Sequence, residues 1–189
     1  MRVIAGSARG RALKGPPRER ASGKPGIRPT SDLIRGVIFD MLDALGADYT
    51  RVLDLYAGTG ALGIEALSRG DGTAEFVESD TAALAIINAN LAHTGFAARA
   101  KVHGFGAAHV VSRLSGVFTL VLADPPYYDE GALAPVEAVA SSPLVDAMTV
   151  LVVEHHKRVV APDVMGALPL YRTRKHGDSV VTIYAQEED

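Results

Sequence analysis

The sequence predicts an α/β fold: a seven-stranded, mostly parallel sheet with helices on both faces, closed by a C-terminal antiparallel hairpin and preceded by a small basic hairpin. Three observations carry this. Short apolar runs alternate with helical periodicity from residue 51 onward, which is the pattern of a parallel sheet with crossover helices. The stretch "LPLYRTRKHGDSVVTIYAQ" instead holds two extended runs around "HGD" with no room for a helix. The first 29 residues are turn-rich and cationic.

In chain order, "RVIAG" and "RALKG" read as two extended pieces joined by "SARG", followed by the loop "PPRERASGKPG". Leu33, Ile34, Val37, Ile38, Met41, Leu42 and Leu45 recur at three-to-four spacing, with Thr30, Ser31 or Asp32 as N-cap and Gly46 at the end, so an amphipathic helix leads into the body. Strands are then expected at 51–55, 73–78, 99–103, 118–123 and 149–154, with helices at 60–69, 81–93, 107–114 and 131–140. The organisation is therefore a basic arm over 1–29 and a main domain over 30–189.

At 189 residues, 48% hydrophobic and 22% charged, the chain is long enough for one sizeable core and unlike a disordered or collagenous sequence. It has no cysteine, which removes disulfides and thiolate metal sites and suits the cytoplasm. No apolar run is long enough for a membrane span, and "MRVIAGSARGRALKG" lacks a signal-peptide core. The chain is expected to be a soluble monomer with no membrane partner. Its net charge of −3 hides a segregation: residues 1–35 hold nine Lys or Arg against Glu19 and Asp32, a net +7 that leaves −10 elsewhere. A basic arm on an acidic body suits phosphate contact, because each cation that meets a phosphate releases condensed counterions. The competing reading is a solvated tail.

"VLDLYAGTGALGIEALSRG" is a strand, a glycine turn and a helix, and Gly58 to Gly63 fits G-x-G-x-x-G. Such a turn lets a ligand approach the backbone at a helix start that offers unpaired N–H groups. The second strand ends on Glu78, twenty residues after Gly58, where a carboxylate can take both hydroxyls of an adenosine ribose. NAD and S-adenosylmethionine share that ribose, so Glu78 does not separate them. Asp54, inside the first strand just before the turn, favours the second: a carboxylate there repels a pyrophosphate and attracts an ammonium and a sulfonium. The plainer reading of Asp54 is a carboxylate capping loop N–H groups.

"VLADPPYYDE" ends an apolar strand on a carboxylate and then fixes two backbone positions. An exocyclic nucleobase amine is a poor nucleophile because its lone pair is delocalised into the ring. Two acceptors that take the amine hydrogens favour a pyramidal nitrogen and aim its lone pair at a methyl group. Asp124 is one. The Pro125 carbonyl is the other, its direction held by the Pro125 ring and by Pro126. Tyr127 offers a face on which an unstacked base can rest, worth about 1–3 kcal/mol. The rival reading is a proline-rich strand exit.

With these residues in hand, the chain resembles the RsmD family, bacterial enzymes that use S-adenosylmethionine to methylate the N2 amine of one guanine in 16S ribosomal RNA. The likeness rests on "MRVIAGSARGRAL", "RPTSD", "LDLYAGTGALGIEALSRG", "FVESD", "LVLADPPY" and the late "GDS". It implies a Rossmann-like class I methyltransferase fold acting on 16S rRNA, in the small subunit or an assembly intermediate. It also implies that Asp54, Leu55, Tyr56, Ala57, Gly58, Thr59, Gly60, Glu78 and Ser79 line the donor pocket. Phe105, Gly106 and Ala107 would border its adenine, and Asp124, Pro125, Pro126 and Tyr127 would hold the guanine amine. Arg2, Arg9 and Arg11 would meet RNA; Arg28, Thr30 and Arg35 are carried over as contacts to the donor carboxylate or RNA. The helix departs from the family's usual "RPTSDRVREALFN" at Leu33, Gly36 and Asp40.

The six histidines show no metal-ligand spacing, so no metal is expected. Glu154 falls at the same sheet end as Asp124. Three rivals stand beside RNA methylation. A DNA amino-methyltransferase would use the same acid-proline-proline-tyrosine device, but needs duplex-reading elements that the chain does not obviously carry. A nicotinamide oxidoreductase would use the glycine loop, yet no acid or base for hydride transfer stands out. A non-catalytic RNA-binding assembly factor would tolerate loss of Asp124, whereas methyl transfer would not.

Overall fold

The computed structural model describes residues 1–15, 32–126 and 131–186. The elements run α1 (Asp32–Leu45), β1 (Arg51–Leu55), α2 (Ala61–Arg69), β2 (Thr73–Glu78), α3 (Thr81–Thr94), β3 (Ala100–Gly104), α4 (Val110–Arg113), β4 (Leu120–Ala123), α5 (Ala134–Ala140), β5 (Val150–His156), β6 (Val164–Met165), β7 (Leu168–His176) and β8 (Ser179–Tyr184). They form one sheet in the order β3-β2-β1-β4-β5-β8-β7-β6. The first five strands pair in parallel, and β8, β7 and β6 are antiparallel.

The sheet thus has eight strands rather than the expected seven. The addition is β6, two residues long and paired only with Leu168 and Pro169. "VM" is too short to carry an alternating pattern, which is why periodicity does not find it. The helix expected over 107–114 is a 3₁₀ turn, Ala107–His109, running into the four-residue α4, and α5 starts at Ala134 rather than at residue 131.

One sheet face packs under α1, α2, α3 and the N-terminal arm, around Ile38, Leu42, Ile64, Leu67 and Phe76. The other packs under α4 and α5, around Val110, Val136 and Val139 with Leu53, Val121 and Leu151. Burial of such side chains contributes about 1.5–3 kcal/mol each. The amphipathic α1 is rotated from the expected stripe. Leu33 is 58% exposed, while Arg35 and Phe39 are fully buried.

The cause lies in residues 1–15 of the arm, which dock rather than trailing free. It forms a small hairpin with one bridge, Arg2 to Ala12, and hydrogen bonds from the N–H of Val3 to the Arg11 carbonyl and from the N–H of Leu13 to the Met1 carbonyl. Val3, Ala8 and Leu13 enter the main core. Glu65 on α2 accepts the N–H groups of Ile4 at 2.8 Å and Ala5 at 2.9 Å. Ser68 Oγ accepts the N–H of Ala8 and donates to the Ala5 carbonyl. Gly6, at φ +78°, lies so close to the Ser68 carbonyl that a Cβ would sit 1.8 Å from its oxygen. Asn90 on α3 accepts the N–H of Lys14 and donates both to the Lys14 carbonyl and to the Thr59 carbonyl.

Candidate active site

The carboxyl ends of β1, β2, β3 and β4 converge on one crevice, the position where ligands bind in open α/β sheets. At β1 the chain leaves Leu55 through Tyr56, a non-glycine residue at φ +68°, then Gly58 at φ +55° and Gly60 at φ +77°. Left-handed geometry at three of five positions makes the tight turn that the glycines allow. Gly60 caps α2 without a side-chain hydrogen bond. Gly63 is needed for a different reason: a Cβ there would lie 2.4 Å from the Phe76 ring and 3.0 Å from Asp54 Oδ2.

Asp54 is almost fully buried and its Oδ2 accepts the N–H of Gly63 at 2.8 Å. The plainer of the two sequence readings is therefore the one in contact: Asp54 ties β1 to the start of α2. Desolvation pushes its carboxyl up to about 7, with the Gly63 N–H opposing and the charge of Glu78 adding to the rise. Glu78 holds the loop from β2. Its Oε2 accepts the N–H of Gly58 at 2.8 Å, and its Oε1 accepts those of Ser79 and Asp80. These bonds use three of the carboxylate's roughly four lone-pair sites, so acceptor capacity for a ribose hydroxyl remains at Oε2.

Ala57 and Thr59 are buried beneath the turn, whereas Gly58 is half-buried and Ser79 exposed. Beyond β3, Phe105 is half-buried, its ring 5.4 Å from His103 and under the Arg113 guanidinium at 5.0 Å. His103 Nε2 meets Glu75 Oε2 at 2.8 Å, and Glu75 also bonds Arg51. Although burial alone would raise it, these two bonds hold the Glu75 carboxyl below its ordinary value. A Cβ at Gly106 would meet open space, and Ala107 is buried.

Leu55 and Ala123 are partners in the β1–β4 ladder. Tyr56 and Asp124 therefore leave adjacent strands from the same row, about 4.8 Å apart in backbone spacing. Asp124 is half-buried, Pro125 buried and Pro126 exposed. The Tyr56 hydroxyl donates to the Ala132 carbonyl at 2.7 Å, linking the glycine turn to the segment that follows the two prolines. Tyr127, Arg28 and Thr30 lie outside the described residues.

On the arm, Arg2, Arg9 and Arg11 are exposed, with Arg11 donating to the His93 carbonyl. Arg2 and Arg9 line a groove of about 470 Å³ between the arm and α1, together with Asp32, Leu33 and Asp40. Arg35 departs from the expected role of donor or RNA contact. It is fully buried, 3.6 Å from Glu65, bonded to Asp32, and donates to the Arg2 carbonyl. Its charge is consumed in holding the arm. Sequence reasoning also missed Glu65, Ser68 and Asn90, whose signal is a polar residue in an otherwise apolar helix stretch. Among the described residues no group of acidic or histidine side chains could hold a metal ion.

Comparison with known proteins shows the family and the fold. The Ribosomal RNA small subunit methyltransferase D of Escherichia coli (strain K12) is 37% identical over 127 residues, 67% of this chain and 60% of that one. A family model described as conserved hypothetical protein 95 matches residues 1–185. The chain belongs to the RsmD family of methyltransferases. Another family relative, YlbH of Bacillus subtilis (strain 168), whose provisional name is rRNA methyltransferase, is 34% identical over 187 residues, 97% of this chain and 98% of that one. The yhhF structure from Escherichia coli superimposes with a TM-score of 0.81 at 30% identity, covering 99% of this chain and 98% of that one. At 18% identity, an RNA methyltransferase from Salinibacter ruber in complex with S-adenosyl-L-homocysteine shares the fold, with a TM-score of 0.61 over 86% of this chain and 96% of that one.

Proposed function

We propose that this RsmD-family protein transfers a methyl group from S-adenosylmethionine to the exocyclic N2 amine of a guanine in 16S ribosomal RNA. The observation that carries the proposal is the row shared by Tyr56 and Asp124, which brings the glycine turn and the Asp-Pro-Pro segment together. The residues fit the donor. The Gly58–Gly60 turn and the first-turn N–H groups of α2 would receive its methionine portion, Glu78 its ribose, and Phe105 to Ala107 its adenine. The carboxylate of Glu78 beside the turn suits a diol-bearing cationic ligand better than a pyrophosphate. When bound, S-adenosylmethionine supplies an electrophilic methyl group on sulfur with a neutral thioether to leave.

The chain's own residues do the rest. Asp124 and the Pro125 carbonyl accept the two amine hydrogens, localise the nitrogen lone pair and fix its direction. As the new N–C bond forms, the nitrogen sheds one proton through Asp124 to solvent. Tyr127 would stack the extracted base, and the exposed Arg2, Arg9 and Arg11 would hold flanking phosphates. Residues 1–29 serve as the RNA-facing arm and 30–189 as the catalytic domain.

The test incubates the protein and labelled S-adenosylmethionine with small ribosomal subunits, and assembly intermediates, from cells lacking it, then maps the modified nucleotide. Label on a guanine N2, lost in Asp124→Ala, supports the proposal. Label on DNA alone, or on no RNA in any assembly state, overturns it.

A further inference from the structure

The outer half of β7 carries "YRTRKH", and its cations stand apart from every ion pair of the described residues. Arg172, Arg174 and Lys175 are exposed, whereas Lys157 nearby is engaged with Asp178 at 2.7 Å. Among the described residues, these three cations within four positions make no ion pair.

Register fixes where they stand. Glu154 pairs with Val181, and Val181 pairs with Arg174. Asp124 follows the Ala123 to Val153 rung and so falls on the same row as Glu154. Arg174 is thus three strands from Asp124, about 14 Å at the usual strand spacing. Ladder partners share a sheet face, and Arg172 and Arg174 pair with Ile183 and Val181, which belong to the core under α1 and the arm. Both arginines therefore project on the same side of the sheet as the arm with its exposed Arg2 and Arg9. The Arg172 guanidinium also lies 5.5 Å from the centre of the Tyr171 ring, the pairing of cation and aromatic face on which nucleobases stack.

We infer that Arg172 and Arg174 form a second track for RNA phosphates, flanking the crevice on the side opposite the glycine turn. Resting on the rRNA reading above, it adds to it a surface on the C-terminal hairpin. The competing role for such charges is protection of an open strand edge, since β6 covers β7 only at Leu168 and Pro169.

The experiment uses the full chain carrying Arg172→Gln with Arg174→Gln, beside Lys101→Gln, an exposed cation on β3 at the far end of the sheet. Affinity for a 16S ribosomal RNA transcript is measured across salt concentrations, and affinity for S-adenosylhomocysteine in parallel. The double variant should lose about 1.4–2 from the slope of log affinity against log salt, and on the order of tenfold in RNA affinity near physiological salt. Its affinity for S-adenosylhomocysteine, and both properties of Lys101→Gln, should stay at the wild-type value. An unchanged slope overturns the inference. So does self-association of the double variant with RNA binding intact, which assigns the charges to edge protection. A defect confined to assembled particles, with naked RNA unaffected, also overturns it and points to an acidic protein partner. If wild-type protein transfers no methyl to RNA yet the slope still falls, the proposed reaction fails and the track stands.

Discussion

Asp54 offers a test of the site that needs no substrate. Its carboxyl ordinarily titrates near 3.8 and is pushed up to about 7 in the folded chain, first by desolvation. Between these values the folded state holds a proton that the unfolded chain has released. Stability is therefore greatest below about pH 4, as far as this group is concerned, and falls as pH rises through about 7. Each unit is worth about 1.4 kcal/mol, so from pH 5 to pH 8 the loss is about 2–3 kcal/mol. Asp54→Asn removes the titration, while its side-chain oxygen can still accept the Gly63 N–H. The buried amide hydrogens carry a cost of their own, about 1–3 kcal/mol, but one independent of pH. Urea unfolding of both proteins at pH 5 and pH 8 isolates the effect. The variant should gain about 2–3 kcal/mol relative to wild type between the two pH values. A relative stability that is unchanged, or that shifts towards wild type at pH 8, would refute the assignment of a desolvated carboxylate at this turn.

Three further outcomes follow from the geometry. Gly63→Ala should destabilise by about 1–3 kcal/mol in urea unfolding, because the Phe76 ring occupies the space of the new methyl group. Glu65→Ala strands the fully buried Arg35 and frees the arm's N–H groups, so a loss of about 3–5 kcal/mol and faster proteolysis within residues 1–15 are expected. Glu78→Ala should weaken S-adenosylhomocysteine binding by tenfold or more in calorimetry, since the side chain both shapes the loop at Gly58 and faces the expected ribose.

The parallel strands, the glycine turn and the Asp-Pro-Pro exit were legible because each is local: an apolar run, a backbone requirement or a fixed φ writes itself into neighbouring residues. Arg35 was not, because its partner Glu65 is thirty residues away on another helix. Read alone, "GIEALSRG" suggests that Glu65 and Ser68 mark a solvated stripe, yet the arm covers that stripe and buries both. Likewise Leu33 fits the apolar period of α1, but Arg35 takes the buried position beside Glu65 and Leu33 is left outside. Asp54 allows two readings from sequence, a charge facing the ligand and a cap on loop N–H groups, and the contact in the structure is the N–H of Gly63. A third layer made from the chain's own beginning is information that no window of neighbouring residues contains.

The grip on that beginning has its own consequence. Glu65, Ser68 and Asn90 hold residues 4, 5, 8 and 14 by peptide groups alone. Any amino acid supplies the same N–H and C=O there, proline excepted for the donor. Lys14, whose side chain points outward, could be exchanged for nearly anything without loosening the hairpin, and Arg9 and Ala12 are similarly exposed. The mounting and the tool are separable, so a related protein could retool its contacts by changing those outward residues while leaving α2 and α3 untouched.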